Sequence, residues 1–282
     1  MKFEKNKRGV VWAGILGLAL VFCMTGLCLA GELDVFTGEK QVLRISGGTA
    51  HIPVMKAAAQ KIMGFNPDIQ IIIAGGGSGA GIKQVGEGLV DIGNSGRQAT
   101  DAEVAKYGLK MVKWAIDGVA AVTHPQNPVK SLSSMQLQDI FSGKITSWKD
   151  VGGKEAPINV YTRDAASGTR SVFWEKALKK ADITEKANVV VSNGAMKTAL
   201  SNDPYSIGYV SVGFIDQGVA ALVLDGVTPS MASVKSGEYT VARGLFSNTK
   251  GEAQGLAKKF MEYLLGPDGR ALVLDKGFIP VN

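Results

Sequence analysis

The stretch DIQIIIAGGGSGAGIKQVGEGLVDIGNSGR (residues 68–97) decides the fold. DIQIIIAG is a short, strongly apolar run rich in β-branched isoleucine, the signature of a buried strand. A glycine-rich turn follows, then GIKQVGEGL, which reads as a short helix starting near Gly81. VDIGNSG is apolar and short again, a second strand. Strand alternating with helix argues for an α/β fold.

The alternation continues on both sides. QVLRISG, INVYTR, NVVVSN, SIGYVS and AALVLDG read as strands. HIPVMKAAAQKIMGF, DAEVAKYG, SSMQLQDIFSG, GTRSVFWEKALKKA and EAQGLAKKFMEYLLG read as helices. The third of these is capped by Ser133 or Ser134 and ended by Gly143; Gly266-Pro267 stops the last. Two longer extended runs, VKWAIDGVAAVTH and YTVARGLFSN, stand apart. No repeat or linker is visible, so two lobes would be joined by strands crossing near 115–123 and 239–247. The expectation is an α/β chain with mostly parallel sheets.

The N-terminus has an export pattern. Lys2, Lys5, Lys7 and Arg8 precede an uncharged run, residues 10–30, ending in small residues at Cys28 and Ala30. Cleavage is expected after Ala30, with an uncleaved membrane anchor as the alternative. Removing 1–30 takes four of 31 basic and one of 25 acidic residues, leaving a net charge of about +3. Nothing in that balance calls for nucleic acid. Both cysteines, Cys23 and Cys28, leave with the segment, so no disulfide or thiol chemistry is expected. The two histidines, His51 and His124, belong to no cluster with metal spacing, and no metal or cofactor is expected. His51 reads as a helix-terminal surface residue, His124 as a strand-end residue before Pro125.

Three turns share one chemistry. SGGTAHIP, GGGSGAG and AASGTRSVF each follow a strand, combine glycine with Ser or Thr, and precede a helix. The first N–H groups of a helix have no internal partner and carry partial positive charge. Glycine admits a ligand to the backbone, and hydroxyls add donors. Each turn alone is explained by capping; three together, one of them four residues after Arg163, point to a small oxyanion. Other motifs fail. Ile82 separates Gly81 from Lys83 where a P-loop has Gly-Lys, and Ala80 stands where a serine-hydrolase elbow has its second glycine.

These segments, with GGGSGAGIKQVGEGLVDIGNSGR, AAVTHPQNPVKSLSSMQLQDIFSGKITSWKDVGG, TRDAASGTRSVF, IGYVSVGF and GFIPV, resemble the phosphate-binding proteins of bacterial phosphate-import ABC transporters. The resemblance covers nearly all of the chain after the export segment. It implies a two-lobed type II periplasmic-binding fold: two mostly parallel sheets joined by a two-strand hinge, with lobe one at 32–116 plus 241–282 and lobe two at 117–240. It implies a non-enzymatic, monomeric extracytoplasmic receptor that hands inorganic phosphate to a permease. By position, Thr49, Ala50, Ser78, Arg163, Ser167, Gly168 and Thr169 would hold phosphate, with Gly48, Gly79, Gly96, Arg97 and Asp117 as further candidates. Some members carry an aspartate where this chain has Gly96; it accepts the proton of hydrogen phosphate and so helps reject sulfate. Asp117 is the candidate replacement. Arg97 is a ligand contact or the partner of Asp117, and Asp164 a salt-bridge partner. The alternatives are a receptor for another tetrahedral oxyanion (sulfate, molybdate, arsenate), a tethered phosphate sensor and, remotely, a phosphoester or serine hydrolase.

Overall fold

The computed structural model describes residues 31–281. The export segment, its cleavage point and both cysteines lie outside the described residues. In chain order, β1 (Gln41–Gly47) leads into α1 (Ile52–Phe65), β2 (Ile69–Gly76) into α2 (Gly77–Gly86), and β3 (Ile92–Ser95) into α3 (Asp101–Tyr107). The long β4 (Leu109–Thr123) follows, then β5 (Ser131–Leu132), α4 (Ser134–Ser142), β6 (Asn159–Arg163) and α5 (Gly168–Val172). Next come β7 (Asn188–Val190), α6 (Asn193–Ser201), β8 (Ser206–Ser211), β9 (Ala220–Ala221), β10 (Val223–Leu224) and α7 (Met231–Ser236). The chain closes with β11 (Ala242–Lys250), α8 (Gly255–Leu265), α9 (Pro267–Asp275) and β12 (Ile279–Pro280).

The strands hydrogen-bond in the order β2-β1-β3-β11-β4-β8-β6-β7, with β9 and β12 also on β4. β1 is parallel to β2 and β3, and β6 is parallel to β7 and β8. Every pairing of β4 and β11 is antiparallel. The expected pair of mostly parallel sheets is thus one path of mixed sheet, parallel toward each end and antiparallel where the two long strands cross. Core packing divides at the same strands. Trp114 and Ala115 of β4, with Leu245 of β11, bury into a cluster built on α1, β1, β2 and α8. Val119 and Ala121, a few residues on, bury into a second cluster around Phe141, Phe173 and Tyr209. Each crossing strand changes core partway along, which makes the fold two-lobed.

Local sequence explains most elements. Pro53 fits the first turn of α1, where its missing N–H has no helical partner to lose. Leu256, Phe260, Tyr263 and Leu264 put one buried stripe on α8. Ser133 caps α4, and Gly143 ends it in the left-handed region at φ 83°.

Several features depart from the sequence reading. α2 begins at Gly77, not near Gly81, because packing holds this glycine-rich segment helical against its weak propensity. AALVLDG splits between β9 and β10, which pair with different strands. Pro267 both stops α8 and opens α9. GTRSVFWEKALKKA is α-helical only through Val172; Phe173–Ala177 widens into a π turn that seats Phe173 flat on Tyr209, ring centroids 4.2 Å apart. α6 and α7 have no counterpart in the sequence reading.

α2 lies on the sheet through bare backbone. A Cβ at Gly81 would fall 2.5 Å from the Asn94 carbonyl oxygen and 2.9 Å from Gly47 Cα. Gly81→Ala must push the helix off β1 and β3. We expect it to destabilise the protein by about 1–3 kcal/mol, read as a lower thermal midpoint.

Candidate functional site

The carboxyl ends of β1, β2, β3 and β6 meet the starts of α1, α2 and α5 around one small cavity. This is where open α/β sheets place ligands. Gly48, Thr49 and Ala50 line it before α1; Gly77 and Ser78 line it in the first turn of α2. Ser167, Gly168 and Thr169 line it at the start of α5, and Gly96 and Arg163 complete the wall from β3 and β6. All seven principal residues of the sequence reading therefore share one cavity. Of the further candidates, Gly48 and Gly96 are on the wall, and Gly79, Arg97 and Asp117 are not among the lining residues.

Main chain and caps fix the hydroxyls. Ser78 Oγ accepts from the Gly96 N–H at 2.9 Å. Ser167 Oγ caps α5 by accepting from the Arg170 N–H at 3.2 Å. Thr49 Oγ1 accepts from the Asn193 backbone N–H at 3.2 Å and from its Nδ2 at 3.1 Å. Gly79 serves elsewhere: its N–H donates to the Ala166 carbonyl at 3.0 Å, bridging the two halves of the cleft. The halves touch nearly bare. A Cβ at Gly77 would lie 2.7 Å from the Ala166 carbonyl oxygen, and one at Gly168 would lie 2.2 Å from Ser78 Oγ.

Arg163 is 2 % exposed. Its Nε and Nη2 donate to the Val190 and Val191 carbonyls at 3.0 Å each, and its Nη1 has no protein partner. Burial lowers its pKa, and nearby Tyr209 and Asp164 act the other way. Asp164 makes a turn, Oδ1 accepting from the Ala166 N–H at 2.9 Å, rather than the ion pair expected of it.

A second guanidinium, Arg243 of β11, lines the cavity and was absent from the sequence reading. It sits opposite Asp117 in the β11–β4 register. Nε donates to Asp117 Oδ2 at 2.9 Å; Nη2 lies 2.8 Å from the same oxygen, paired in charge but not aligned as a hydrogen bond. A Cβ at Gly96 would fall 2.6 Å from Arg243 Nη1. The guanidinium occupies the space that a side chain at position 96 would take. The signal was present as opposite charges in the two extended runs, Asp117 in AIDGVA and Arg243 in VARGLF.

Asp117 therefore stands behind Arg243. Oδ1 accepts from Ser211 Oγ at 2.7 Å and Oδ2 from Arg243, so the carboxylate is held away from the wall. Burial pushes its pKa up; Arg243, Ser211 and the Val212 backbone pull it back. Arg97 is a partner of neither cavity nor Asp117. Its two terminal nitrogens donate to Glu103 at 2.8 Å each, holding that carboxyl at about 2.

His51, expected on the surface, is fully buried and on the wall. Its ring meets Trp114 edge-on at 5.5 Å. Burial, then Arg243, drop its pKa to about 3, so the imidazole is neutral near pH 7. His124 ends β4 as expected, its Nδ1 accepting from the Gln126 N–H at 3.1 Å.

The wall thus offers hydroxyls, helix-start N–H groups and two guanidinium groups, and no carboxylate is among its lining residues. Such a set desolvates and holds a small anion. Asp117→Ala would leave Arg243, 3 % exposed in its side chain, buried without its counter-charge. We expect a loss of about 3–5 kcal/mol in urea unfolding.

Known proteins resemble this chain over most of its length. A family model for the PBP superfamily domain matches residues 34–268. The phosphate-binding protein PstS of Bacillus subtilis (strain 168) is 38 % identical over 100 % of this chain and 96 % of its own length. A Clostridium perfringens structure described as a phosphate ABC transporter substrate-binding protein with bound phosphate superposes with TM-score 0.81. It is 36 % identical, over 86 % of this chain and all of that one. An ABC-type phosphate transport receptor from Vibrio cholerae gives TM-score 0.68 at 31 % identity, over 84 % and 99 % of the two chains.

Proposed function

The chain belongs to the PstS family of phosphate-binding proteins within the PBP superfamily, and we propose on that premise that it captures inorganic phosphate outside the cytoplasm and delivers it to the permease of an ABC transporter. It acts as a receptor rather than an enzyme. The observation that carries the reading is the anion nest: three helix starts, the hydroxyls of Thr49, Ser78, Ser167 and Thr169, and Arg163 and Arg243 around one cavity.

Phosphate would take N–H and O–H bonds from the Thr49–Ala50, Ser78 and Ser167–Thr169 segments, with Arg163 Nη1 and Arg243 Nη1 supplying charge. Donors come from both halves of the cleft, so binding favours the closed arrangement. We take the lobes to be 32–116 with 241–282, and 117–240, joined by β4 and β11. The receptor works as a monomer, released by cleavage after Ala30; mass spectrometry of the mature N-terminus would separate this from a tethered sensor. No helix among the described residues is long and apolar enough to cross a membrane.

A second reading, a receptor that also takes sulfate, is favoured by one observation: the lining residues include no carboxylate to accept a phosphate proton. Calorimetry on residues 31–282, freed of carried-over phosphate, separates the two. One-to-one phosphate binding undisturbed by excess sulfate supports the phosphate receptor. Equal competition supports the broader oxyanion reading, and no heat with phosphate sinks both. Arg163→Ala should weaken phosphate binding on the order of 100-fold, the loss of charge-assisted bonds from a buried donor; unchanged affinity removes Arg163 from the site. Gly168→Ala should weaken it at least about tenfold while leaving the ligand-free melting temperature nearly unchanged, because its methyl meets Ser78 only when the cleft is closed.

A further inference from the structure

One buried amide outside the cavity wall is hydrogen-bonded to a group on it. Asn193, at the start of α6, is fully buried and is not a lining residue. Its Oδ1 accepts from the Ser211 N–H at 3.0 Å. A backbone N–H only donates, so that atom is the amide oxygen and the other, Nδ2, is a donor. Nδ2 and the Asn193 backbone N–H both donate to Thr49 Oγ1. A hydroxyl has two lone pairs, and here both are taken. What Thr49 has left is its hydrogen, and Thr49 lines the cavity.

We propose that Asn193 is a positioning residue: it forces the Thr49 hydroxyl to act only as a donor to the bound anion and latches the cleft shut around it. The proposal rests on the phosphate-receptor reading and deepens it. Thr49 belongs to the α1 side of the cleft, Asn193 and Ser211 to the α6 and β8 side, so the two bonds form only on closure. The hydrogen bonds do not stop at Ser211. Its Oγ donates to Asp117, and Asp117 holds Arg243. The chain Thr49–Asn193–Ser211–Asp117–Arg243 begins and ends on the cavity wall, joining a neutral donor on one side to a cationic donor at the crossing strands. Closure and aim of the donors are therefore one event.

The test uses Asn193→Ala, Asn193→Asp and Thr49→Val, alone and in pairs, with phosphate binding followed by calorimetry and stopped flow. Asn193→Ala should speed phosphate release about tenfold with little change in association, since the latch forms after encounter. Asn193→Asp keeps the volume and the Ser211 bond but replaces the donor by an acceptor. The Thr49 hydrogen then turns to the carboxylate, and affinity should fall at least about 100-fold. A residue that merely fills space predicts the opposite order, Ala worse than Asp. Repulsion between the new carboxylate and the anion would persist in the Thr49→Val background, whereas a loss that acts through the hydroxyl shrinks there, so the pairwise cycle separates them. Should ligand-free Asn193→Ala melt early, the Asp variant carries the test. Wild-type protein that ignores phosphate ends the receptor reading itself. Wild-type protein that binds phosphate, with variants that match it or add independently of Thr49→Val, overturns only the role of Asn193.

Discussion

The ion pair between Asp117 and Arg243 is the interaction on which the rest of the site depends. Two buried charges taken from water repay that cost only with good geometry and satisfied remaining valences. Here the antiparallel register of β4 and β11 sets them opposite one another, and Ser211 satisfies the other carboxylate oxygen. The pair lies where the two strands pass from one core to the other. It thereby ties the mechanical centre of the molecule to the chemistry: the guanidinium that neutralises Asp117 is the one that reaches over Gly96 into the cavity.

The charge distribution around the cavity follows from this. Carboxylates are close by but spent, Asp117 on Arg243 and Asp164 on a turn N–H. Arg97, adjacent to the cavity in sequence, is spent on Glu103 at the start of α3. The imidazole of His51 is neutral through burial. What remains facing the interior is a one-sided set of donors. Such a set favours an anion strongly, and it selects among tetrahedral anions only through shape and through whichever lone pairs the serine hydroxyls and His51 can present.

Much of this was legible in the sequence because it rests on local chemistry. Glycine, hydroxyls and a following helix mark the three turns, and the order of those motifs brings the family resemblance; the seven principal wall residues, Arg163 among them, follow. What was not legible depends on distance. Arg243 looks like any strand arginine until the register puts Asp117 opposite it. His51 looks exposed beside a helix start, and only the packing of Trp114 and the loop of Gly48 over it makes it buried. The expectation of mostly parallel sheets held for the outer strands. It missed the antiparallel centre because local periodicity carries no strand direction. α9 was hidden behind a proline read as a stop, and the π turn at Phe173 behind a helical pattern that only the stacking on Tyr209 interrupts.

Beyond the Thr49–Asn193 bonds, the backbone of the two sides meets across the cleft through glycine, alanine and serine: Gly77 and Gly79 on Ala166, Gly168 on Ser78. Side chains of this size have almost no rotamers to lose when they are covered. An interface of long, flexible residues would lose side-chain freedom each time it formed and regain it each time it opened, adding an entropic bias toward the open form. This one adds almost none. Small residues thus leave the opening and closing of the cleft to be decided by the ion and the hydrogen bonds around it, a useful arrangement for a receptor that must release its cargo as well as take it up.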